Sequence, residues 1–171
     1  MAERYATEGD LPGIVAILNA AIAMGVTAET EPLSVEAREG WFAEHNPGRY
    51  PIWVEVRQGI VAGWLSISQY FRQPAYNSAA EVSVYVASRY HRQGIASGLM
   101  RLALDTAPLL GLKTLVGYIW AHNEASLHLF ESHGFERWGL LPRIAVIEGA
   151  LVDTVIVGRP LRGRSKPELE G

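Results

Sequence analysis

Cysteine is absent from the 171 residues of the chain. Its absence excludes a disulfide framework, a zinc site built on thiolates and a cysteine nucleophile. A chain of this length buries roughly two-thirds of the surface that its unfolded form exposes, so it needs neither a disulfide nor a metal ion to stay folded. The length favours one domain, which we place at residues 1–161, followed by a polar C-terminal tail at residues 162–171.

A marked excess of charge of either sign is also missing. The formal net charge is −3, which is not the pattern of a chain that binds nucleic acids or anionic membranes in general. Apolar residues make up 49% of the chain and charged residues 19%, and these values exclude a disordered or collagen-like protein.

The sequence has no signal peptide that we recognise, because Glu3, Glu8 and Asp10 give its start the wrong charge. Residues 11–28 carry no charge and are long enough to raise the question of a membrane span, but a proline, glycines and polar residues interrupt them. We therefore expect a buried helix followed by a loop, in a soluble, cytoplasmic protein with no membrane partner.

The first half of the chain predicts two helices followed by strands. Thr7 and Asp10 resemble a helix start, and Ser34 is a typical N-cap for a second helix that carries Trp41 and Phe42 inward. Apolar residues alternate with polar or exposed positions in the strand that follows, and the turn Gln58-Gly59 then leads into a second strand, so the two strands should form a hairpin. The alternating strand residues are Ile52, Val54 and Val56 in the hairpin, then Val82, Val84 and Val86 on one face of a third strand, with Glu81, Ser83 and Tyr85 on its other face.

The second half of the chain mixes helices and strands. A helix begins at Gly94 and ends at Gly111, and Pro108 should kink its last turn. A strand at 114–120, a short helix at 123–133 and two closing strands at 135–141 and 152–158 follow. The strand–helix–strand unit implies a parallel pair. The fold class is therefore α/β (α+β), with a mixed, largely antiparallel central sheet and helices on both faces.

The segment after the third strand is basic and rich in small residues. Residues 89–113 contain four basic residues and one acidic residue, in a chain that is acidic overall. Gly94-Ile95-Ala96 opens a helix, where small residues and the helix N-terminus let backbone amides approach an anion. The segment predicts a phosphate or pyrophosphate site, although a solvated basic loop before an ordinary helix start has the same pattern.

Two named phosphate motifs are missing here. The chain lacks the Gly-Lys-Ser/Thr run of a P-loop. A dinucleotide-binding fingerprint needs a glycine where Leu99 stands and an acid about 20 residues further on, and no Asp or Glu lies between Asp105 and Glu124. The sequence therefore excludes both of these nucleotide sites.

Three separated motifs follow one another in order along the chain. They are Val84-Tyr85-Val86 with Arg92-Gln93-Gly94-Ile95-Ala96, then Asn123-Glu124-Ala125-Ser126, then His133-Gly134-Phe135. Together they resemble the GNAT superfamily of acyl-CoA-dependent N-acetyltransferases, and the resemblance extends from Asp10 to about Leu161. Glu81, just before the Val-Tyr-Val strand, and the upstream Thr30-Glu31-Pro32 resemble the branch that acetylates phosphinothricin and methionine sulfoximine.

The resemblance implies a central sheet splayed between strands 4 and 5, with acetyl-CoA as co-substrate and no metal ion. Backbone amides of residues 92–97 would surround the pyrophosphate, and the pantetheine arm would run along residues 84–86, where a backbone N–H polarises the thioester carbonyl. His91 stands where the family usually has Gln or Arg, so the affinity for phosphate could depend on pH. The predicted cofactor-binding residues are Val84, Tyr85, Val86, Arg89, Arg92, Gln93, Gly94, Ile95, Ala96, Ser97, Asn123 and Ser126.

Acetyl transfer to an amine needs the free base, while an α-amino group with a pKa of about 7.7–8.0 is mostly protonated at neutral pH. A general base is therefore useful, and Glu81 is the one charged residue between Arg72 and Arg89. A solvated charge at a strand end is the alternative interpretation of Glu81 taken in isolation. The resemblance assigns Glu81 the role of catalytic base.

The acid that protonates the leaving thiolate stays unassigned. Phe130 stands where relatives carry a tyrosine or a histidine, and Phe130 cannot donate a proton. Tyr85 is a possible substitute, and solvent could also serve. His122, His128 and His133 lack the four-residue spacing of two metal ligands on one helical face, so we predict no metal site.

The acceptor site should lie between the loop at 26–32, the link at 70–77 and the last hairpin. Phe71 and Asn77 stand where the phosphinothricin branch has arginines that hold its acidic substrate, and Arg143 is a nearby candidate for that role. The predicted substrate-binding residues are Arg72, Tyr76 and Asp153.

The leading interpretation is transfer of acetyl from acetyl-CoA to the amino group of a small amino-acid-like substrate of the phosphinothricin or methionine sulfoximine or sulfone type. The same chemistry on a polyamine, an antibiotic or a protein N-terminus is one alternative, and a non-catalytic acyl-CoA-binding sensor module is another. The sequence does not indicate a hydrolase, because it lacks the Gly-x-Ser-x-Gly motif that carries the nucleophilic serine of such enzymes. We expect a homodimer, since apolar strands near the end of the chain need covering.

Overall fold

The structure of the protein, a computed structural model, describes residues 2–162. Within that range the chain forms seven strands and four α-helices, joined in places by short 3₁₀ turns. The predicted tail, apart from Arg162, lies outside the described residues. In chain order the elements are β1 (Ala2–Tyr5), α1 (Leu11–Ala23), α2 (Val35–Ala43), β2 (Ile52–Arg57), β3 (Ile60–Gln69), β4 (Ala79–Val86), α3 (Ile95–Thr106), β5 (Thr114–Trp120), α4 (Glu124–Ser132), β6 (Glu136–Ile147) and β7 (Ala150–Pro160).

The strands form one sheet in the order β1-β2-β3-β4-β5-β7-β6. Neighbouring strands are antiparallel except for β4 and β5, which run parallel and are connected through α3. The predicted mixed, largely antiparallel sheet with one parallel pair is therefore confirmed.

The parallel pair is short. Residues 79–81 pair with residues 114–116, and beyond them β4 continues beside β3 while β5 continues beside β7. The two strands therefore diverge after Glu81, which confirms the predicted splay between strands 4 and 5. Gly117 follows on β5, where an added Cβ would lie 2.8 Å from Cε1 of Phe130, so this close approach of α4 requires glycine.

Helices cover both faces of the sheet, as predicted. On one face α1 and α2 pack through Ile14, Leu18 and the inward-facing Trp41. On the other face α3 and α4 pack through Leu99 and Phe130. The functional elements therefore lie between two apolar layers that hold them in place.

Covering both faces changes the burial expected for β2. The prediction that polar or exposed positions alternate along this strand is wrong at Trp53, which is apolar and 2% exposed, and the polar Glu55 is also buried, at 1% exposed. A strand covered on both sides buries successive residues, whichever face they point to. Arg57 Nε donates a hydrogen bond of 2.8 Å to Glu55 Oε1, so the buried carboxylate has a cationic partner.

The predicted turns and helix starts are confirmed. Gln58 and Gly59 both have positive φ, 51° and 75°, as two-residue hairpin turns between twisted strands require. Ser34 Oγ accepts a hydrogen bond of 3.1 Å from the Ala37 N–H at the start of α2. Of the described helices, including the uncharged α1, none is long and apolar enough to cross a membrane.

Several element boundaries differ from the prediction. β1 carries no alternating apolar pattern, yet it pairs with β2 at the sheet edge. α3 ends at Thr106, and Pro108 lies in the first turn of a 3₁₀ segment at Ala107–Leu110 instead of kinking the helix, since proline fits the first turn of a helical segment. β6 and β7 extend beyond the predicted 135–141 and 152–158 because they form a long hairpin with register shifts.

Candidate active site

A cavity of about 1120 Å³ opens where β4 and β5 diverge. Its wall includes residues from both faces of the sheet, among them Ile17 and Ala20 of α1 and the first residues of α3. The cavity therefore connects the helix start that follows the basic loop with the part of β4 that carries Glu81. We call its two parts the α3 end, lined by residues 94–97, and the acceptor end, lined by Tyr70, Phe71 and Tyr118, where the sequence predicts the acceptor site.

At the α3 end, the cavity wall includes His91, Arg92 and residues 94–97. Arg92 and Gly94 have positive φ, 60° and 81°, and a Cβ at Gly94 would meet no heavy atom within 4 Å. The Gly98 N–H donates to Gly94 O at 2.9 Å, so the amides of residues 95–97 belong to the helix turn that lacks internal partners. Free amides, the positive end of the helix dipole and open space beside a glycine make this end suited to an anion.

Ser97 is the polar side chain that α3 directs toward α4. Its Oγ lies 2.9 Å from His133 Nε2 and accepts a hydrogen bond of 3.0 Å from Arg101. Burial lowers the pKa of His133, and the charges of Arg101 and Arg159 lower it further. His133 is therefore neutral near pH 7, and the hydroxyl of Ser97 stands at the cavity wall between a neutral and a cationic group.

Asn123 and Ser126 line the same part of the cavity from α4. Asn123 caps this helix, because its Oδ1 accepts a hydrogen bond of 3.2 Å from the Ser126 N–H. The predicted pair is thus brought to the α3 end, with the Asn123 side chain engaged in the cap.

Between the two ends, β4 presents an edge with no strand beside it. Residues 82–86 pair with β3 but not with β5, which has turned away. The side chains of Val84 and Val86 pack against the α3–α4 core, while Tyr85 packs on the opposite face against Trp64, as the predicted alternation requires. The unpaired edge can offer backbone donors and acceptors to an extended ligand.

Glu81 lies in the cavity wall at the last residue pair shared by β4 and β5. Its side chain is half-buried, and burial raises the pKa of its carboxyl. A carboxylate with poor hydration and a raised pKa is a stronger proton acceptor than an exposed one.

Aromatic side chains surround the acceptor end. Tyr70, Phe71 and Tyr118 line it, and the hydroxyls of Tyr70 and Tyr118 lie 2.9 Å apart. Burial raises the pKa of Tyr118, and the hydrogen bond to Tyr70 and the charge of Glu81 raise it further. Tyr118 is therefore a neutral hydroxyl over the working pH range and a poor net proton donor.

The first loop and the last hairpin complete the acceptor end, as the sequence predicted. Thr27 lies in the wall beside Met24 and Val26, and Leu141 and Ile144 contribute from β6. The loop after α1, the end of β3 and the β6–β7 hairpin are thus brought together around Glu81.

Five of the predicted site residues do not line the cavity. Gln93 accepts a hydrogen bond from Arg57 and donates one to Arg89 O, while the guanidinium of Arg89 stacks on Tyr90. At the acceptor end, Tyr76 packs edge-on against Phe71, Asp153 accepts a hydrogen bond from the Arg143 N–H, and Arg72 is exposed. Their proposed roles in binding stay predictions.

Phe130 also lies in the wall. Its ring packs edge-on against Phe135, with 4.9 Å between the ring centroids, and lies close to Gly117.

The sequence analysis did not predict Tyr118 as a site residue. The residue stands two positions beyond Val116, the partner of Glu81, so its signal lies in the register of the parallel pair and not in any local motif.

Among residues 2–162 no cluster of three or more His, Asp or Glu side chains could hold a metal ion.

Comparison with known proteins matches residues 16–135 to the acetyltransferase (GNAT) family. YwnH of Bacillus subtilis (strain 168), provisionally named as a phosphinothricin acetyltransferase, is 45% identical over 163 residues, covering 94% of this chain and 99% of YwnH. The L-methionine sulfoximine/L-methionine sulfone acetyltransferase of Pseudomonas paraeruginosa is 31% identical over 152 residues, which is 88% of each chain.

A solved structure has the same fold over nearly the whole chain. It is a GNAT superfamily phosphinothricin acetyltransferase from Sinorhizobium meliloti in complex with acetyl-CoA, with a TM-score of 0.90, 27% identity, and coverage of 99% of this chain and 94% of that one. The family match and these relatives show that the chain belongs to the acetyltransferase (GNAT) family and is an N-acetyltransferase of its phosphinothricin-type branch.

Proposed function

We propose that the protein transfers the acetyl group of acetyl-CoA to the amino group of a small amino-acid-like substrate, with Glu81 as general base. The observation that carries this proposal is the position of Glu81. Its poorly hydrated carboxyl lies where β4 and β5 separate, between an end of the cavity suited to an anion and an end walled by side chains.

Acetyl-CoA is the acetyl donor, as in the complexes of related enzymes. Residues 92–97 supply amides to the diphosphate, and the open space at Gly94 supports this fit. The pantetheine arm runs along the unpaired edge of residues 84–86, and Asn123 and Ser126 contact it from α4. The overall positive charge of the basic loop favours the same orientation.

The reaction is a direct attack. The amine loses a proton to Glu81, a bond forms between its nitrogen and the acyl carbon, and the bond from carbon to sulfur breaks. A backbone N–H on the β4 edge donates to the thioester oxygen and stabilises the charge that develops there. The thiolate that leaves takes a proton from solvent, since Phe130 cannot supply one.

The amino-acid class of the acceptor is supported by the relatives, whose names cite phosphinothricin, L-methionine sulfoximine, L-methionine sulfone and L-amino acids. The aromatic walls of the acceptor end suit a small molecule better than a protein segment. Arg72 is the candidate for holding the substrate carboxylate, because it follows Phe71 of the wall and is exposed.

The test is a screen for thiol release and acetylated product, with acetyl-CoA and a panel of amino acids, their sulfone and sulfoximine analogues, and polyamines. We expect turnover with amino acids that have uncharged side chains, or with their analogues. Turnover confined to polyamines would overturn the substrate class. Tight acetyl-CoA binding by calorimetry with no turnover of any amine would favour a sensor module instead.

We also propose that the protein forms a homodimer through β6, the strand at one edge of the sheet. This strand and the start of β7 expose large apolar side chains, namely Trp138, Leu140, Ile144, Val146 and Leu151. Light scattering should give a dimer mass for the protein and a monomer mass for Val146→Glu. A monomer mass for the wild type would overturn the proposal. A cytoplasmic location stays a prediction.

A further inference from the structure

Two tyrosines from different strands meet above β4. Tyr70 follows the end of β3 and Tyr118 lies on β5, and these two strands flank β4 on opposite sides. Their hydroxyls are nevertheless within hydrogen-bond distance, 2.9 Å, and their rings are nearly parallel, at an angle of 25° and 6.4 Å between centroids. The pair therefore spans the whole width of β4.

The strand register places Glu81 beneath this span. Ser68 of β3 and Val116 of β5 are the direct partners of Glu81 on its two sides. Tyr70 and Tyr118 each stand two residues further along their own chain, so they share the face of the sheet to which Glu81 points. Because β3 and β5 run in opposite directions, the tyrosines approach Glu81 from opposite ends and cross over it diagonally.

Electrostatics agree with this placement. The charge of Glu81 contributes to the raised pKa of Tyr118, which requires the two groups to be near each other. All three residues line the acceptor end of the cavity. Phe71 stacks on Tyr70, with 4.2 Å between the ring centroids, and supports that ring.

We propose that Tyr70 and Tyr118 are positioning residues that close over Glu81 and limit the access of water to its carboxylate. This inference rests on the proposed role of Glu81 as base. The hydroxyl bond holds the two rings together, and the rings supply the apolar cover. Removing the cover hydrates the carboxylate, which favours its charged form and makes it a weaker base.

Other groups near Glu81 also titrate or carry charge. Behind it, His45 Nε2 lies 3.0 Å from Ser68 Oγ while Nδ1 lies 2.7 Å from Trp41 O, and burial lowers the pKa of His45. On β4 itself, burial raises the pKa of Tyr85, whose surroundings include Thr27, Arg38 and Glu29. Burial lowers the pKa of His45 and raises that of Glu81, so the two pKa values approach each other and an experiment has to separate them.

The test is an infrared titration of the carboxyl bands of the full-length protein, with the spectrum of Glu81→Gln subtracted to isolate the band of Glu81. This readout needs no substrate. We expect the midpoint for Glu81 to move to lower pH in Tyr118→Ala and Tyr70→Ala, so that the ratio of charged to neutral Glu81 at a fixed acid pH rises severalfold. Tyr118→Phe and Tyr70→Phe keep the rings, lose the hydroxyl bond and should give smaller shifts in the same direction.

Two controls make the result specific. Tyr5→Ala removes an exposed tyrosine of β1 that stacks on Trp53 outside the cavity wall, and His45→Gln removes the nearby imidazole. An unmoved midpoint in both alanine variants, or an equal shift in either control, overturns the proposal. The phenylalanine variants keep the test decisive if an alanine variant fails to fold. Failure of the proposed function is separate, since it appears as turnover retained by Glu81→Gln.

Discussion

The two ends of the cavity differ in the chemical groups that form them, backbone amides at one end and side chains at the other. The α3 end consists mostly of backbone amides, ordered by a helix start and by two left-handed residues, Arg92 and Gly94. The acceptor end consists of side chains brought together from the loop after α1, the end of β3, β5 and the last hairpin. A backbone site changes little when side chains change, whereas a side-chain site changes with every substitution. The donor of the reaction is therefore a property of the fold, and the acceptor is a property of this chain.

The largest expected effect separates the two ends by their roles. Glu81→Gln should lower kcat by about 10²- to 10⁴-fold, because a positioned general base contributes on that order. The affinity for acetyl-CoA, measured by calorimetry, should stay that of the wild type. Glu39→Gln on the exposed side of α2 is the matched control and should leave kcat unchanged. A variant at position 81 with a nearly normal kcat from neutral to alkaline pH would remove Glu81 from the mechanism.

The converse substitution acts on the α3 end. Gly94→Ala puts a Cβ on a residue with φ of 81°, so the backbone shifts and its amides lose their alignment. Losing one hydrogen bond to a charged group costs about 1.5–3 kcal/mol, so we expect the Kd for acetyl-CoA to rise at least about tenfold.

The control for this variant is Gly149→Ala. Gly149 has a similar φ of 78°, also faces open space and lies in the β6–β7 turn outside the cavity wall. Both variants carry the same backbone strain, and only Gly94→Ala should weaken binding. Equal Kd values for the two would show that the amides near Gly94 do not hold the co-substrate.

A third prediction concerns the place where the two ends join. Gly117→Ala would put a Cβ 2.8 Å from Cε1 of Phe130 and 3.1 Å from Val157, in a packed core, and should lower the free energy of unfolding by about 1–3 kcal/mol. Gly40→Ala on α2 meets no heavy atom within 4 Å and should instead be neutral or stabilising by up to about 1 kcal/mol. Calorimetric unfolding measures both, and the same sign for the two variants would contradict the packing argument.

The smallest effect is expected at the cap of α4. Asn123→Ala removes the hydrogen bond from the Ser126 N–H and should cost about 1 kcal/mol of stability. Denaturant unfolding checks this value. Ser34→Ala removes the equivalent bond at α2, far from the cavity, so a loss of acetyl-CoA affinity shared by both variants would mean that Asn123 acts through stability alone.

The same contrast explains what could be predicted from the sequence. The α3 end could be predicted from the sequence because its signals are local. A strand of alternating valines, a basic loop and a glycine at a helix start follow one another within about twenty residues. Glu81 could be singled out because it is the one charged residue between Arg72 and Arg89, while its assignment as base came from the resemblance to the family. Helix caps and the Gln58-Gly59 turn were local in the same sense.

The acceptor end was harder to predict from the sequence because the residues that form it are far apart along the chain. The pairing of Tyr70 with Tyr118 depends on the register of β4 with both of its neighbours, which no local pattern reveals. Arg72, Tyr76 and Asp153 lie near the correct segments, but side chains one or two residues from a wall residue can point away from it. The burial of Glu55 was missed for a related reason, since α3 packs on the face of β2 that carries Trp53, a face that the alternating pattern assigns to polar or exposed positions.

The short parallel pairing also has a mechanical consequence. Strands β1–β4 and β5–β7 each form an extended antiparallel block, and within the sheet three residue pairs join the two blocks, beside the hydrogen bond between Tyr70 and Tyr118. A small hinge rotation about residues 79–81 would widen or narrow the cleft without breaking a hydrogen bond inside either block. Amide hydrogens at this junction should therefore exchange with solvent before those of the β2–β3 hairpin, and a long ligand bound across the junction would act as a splint that slows their exchange.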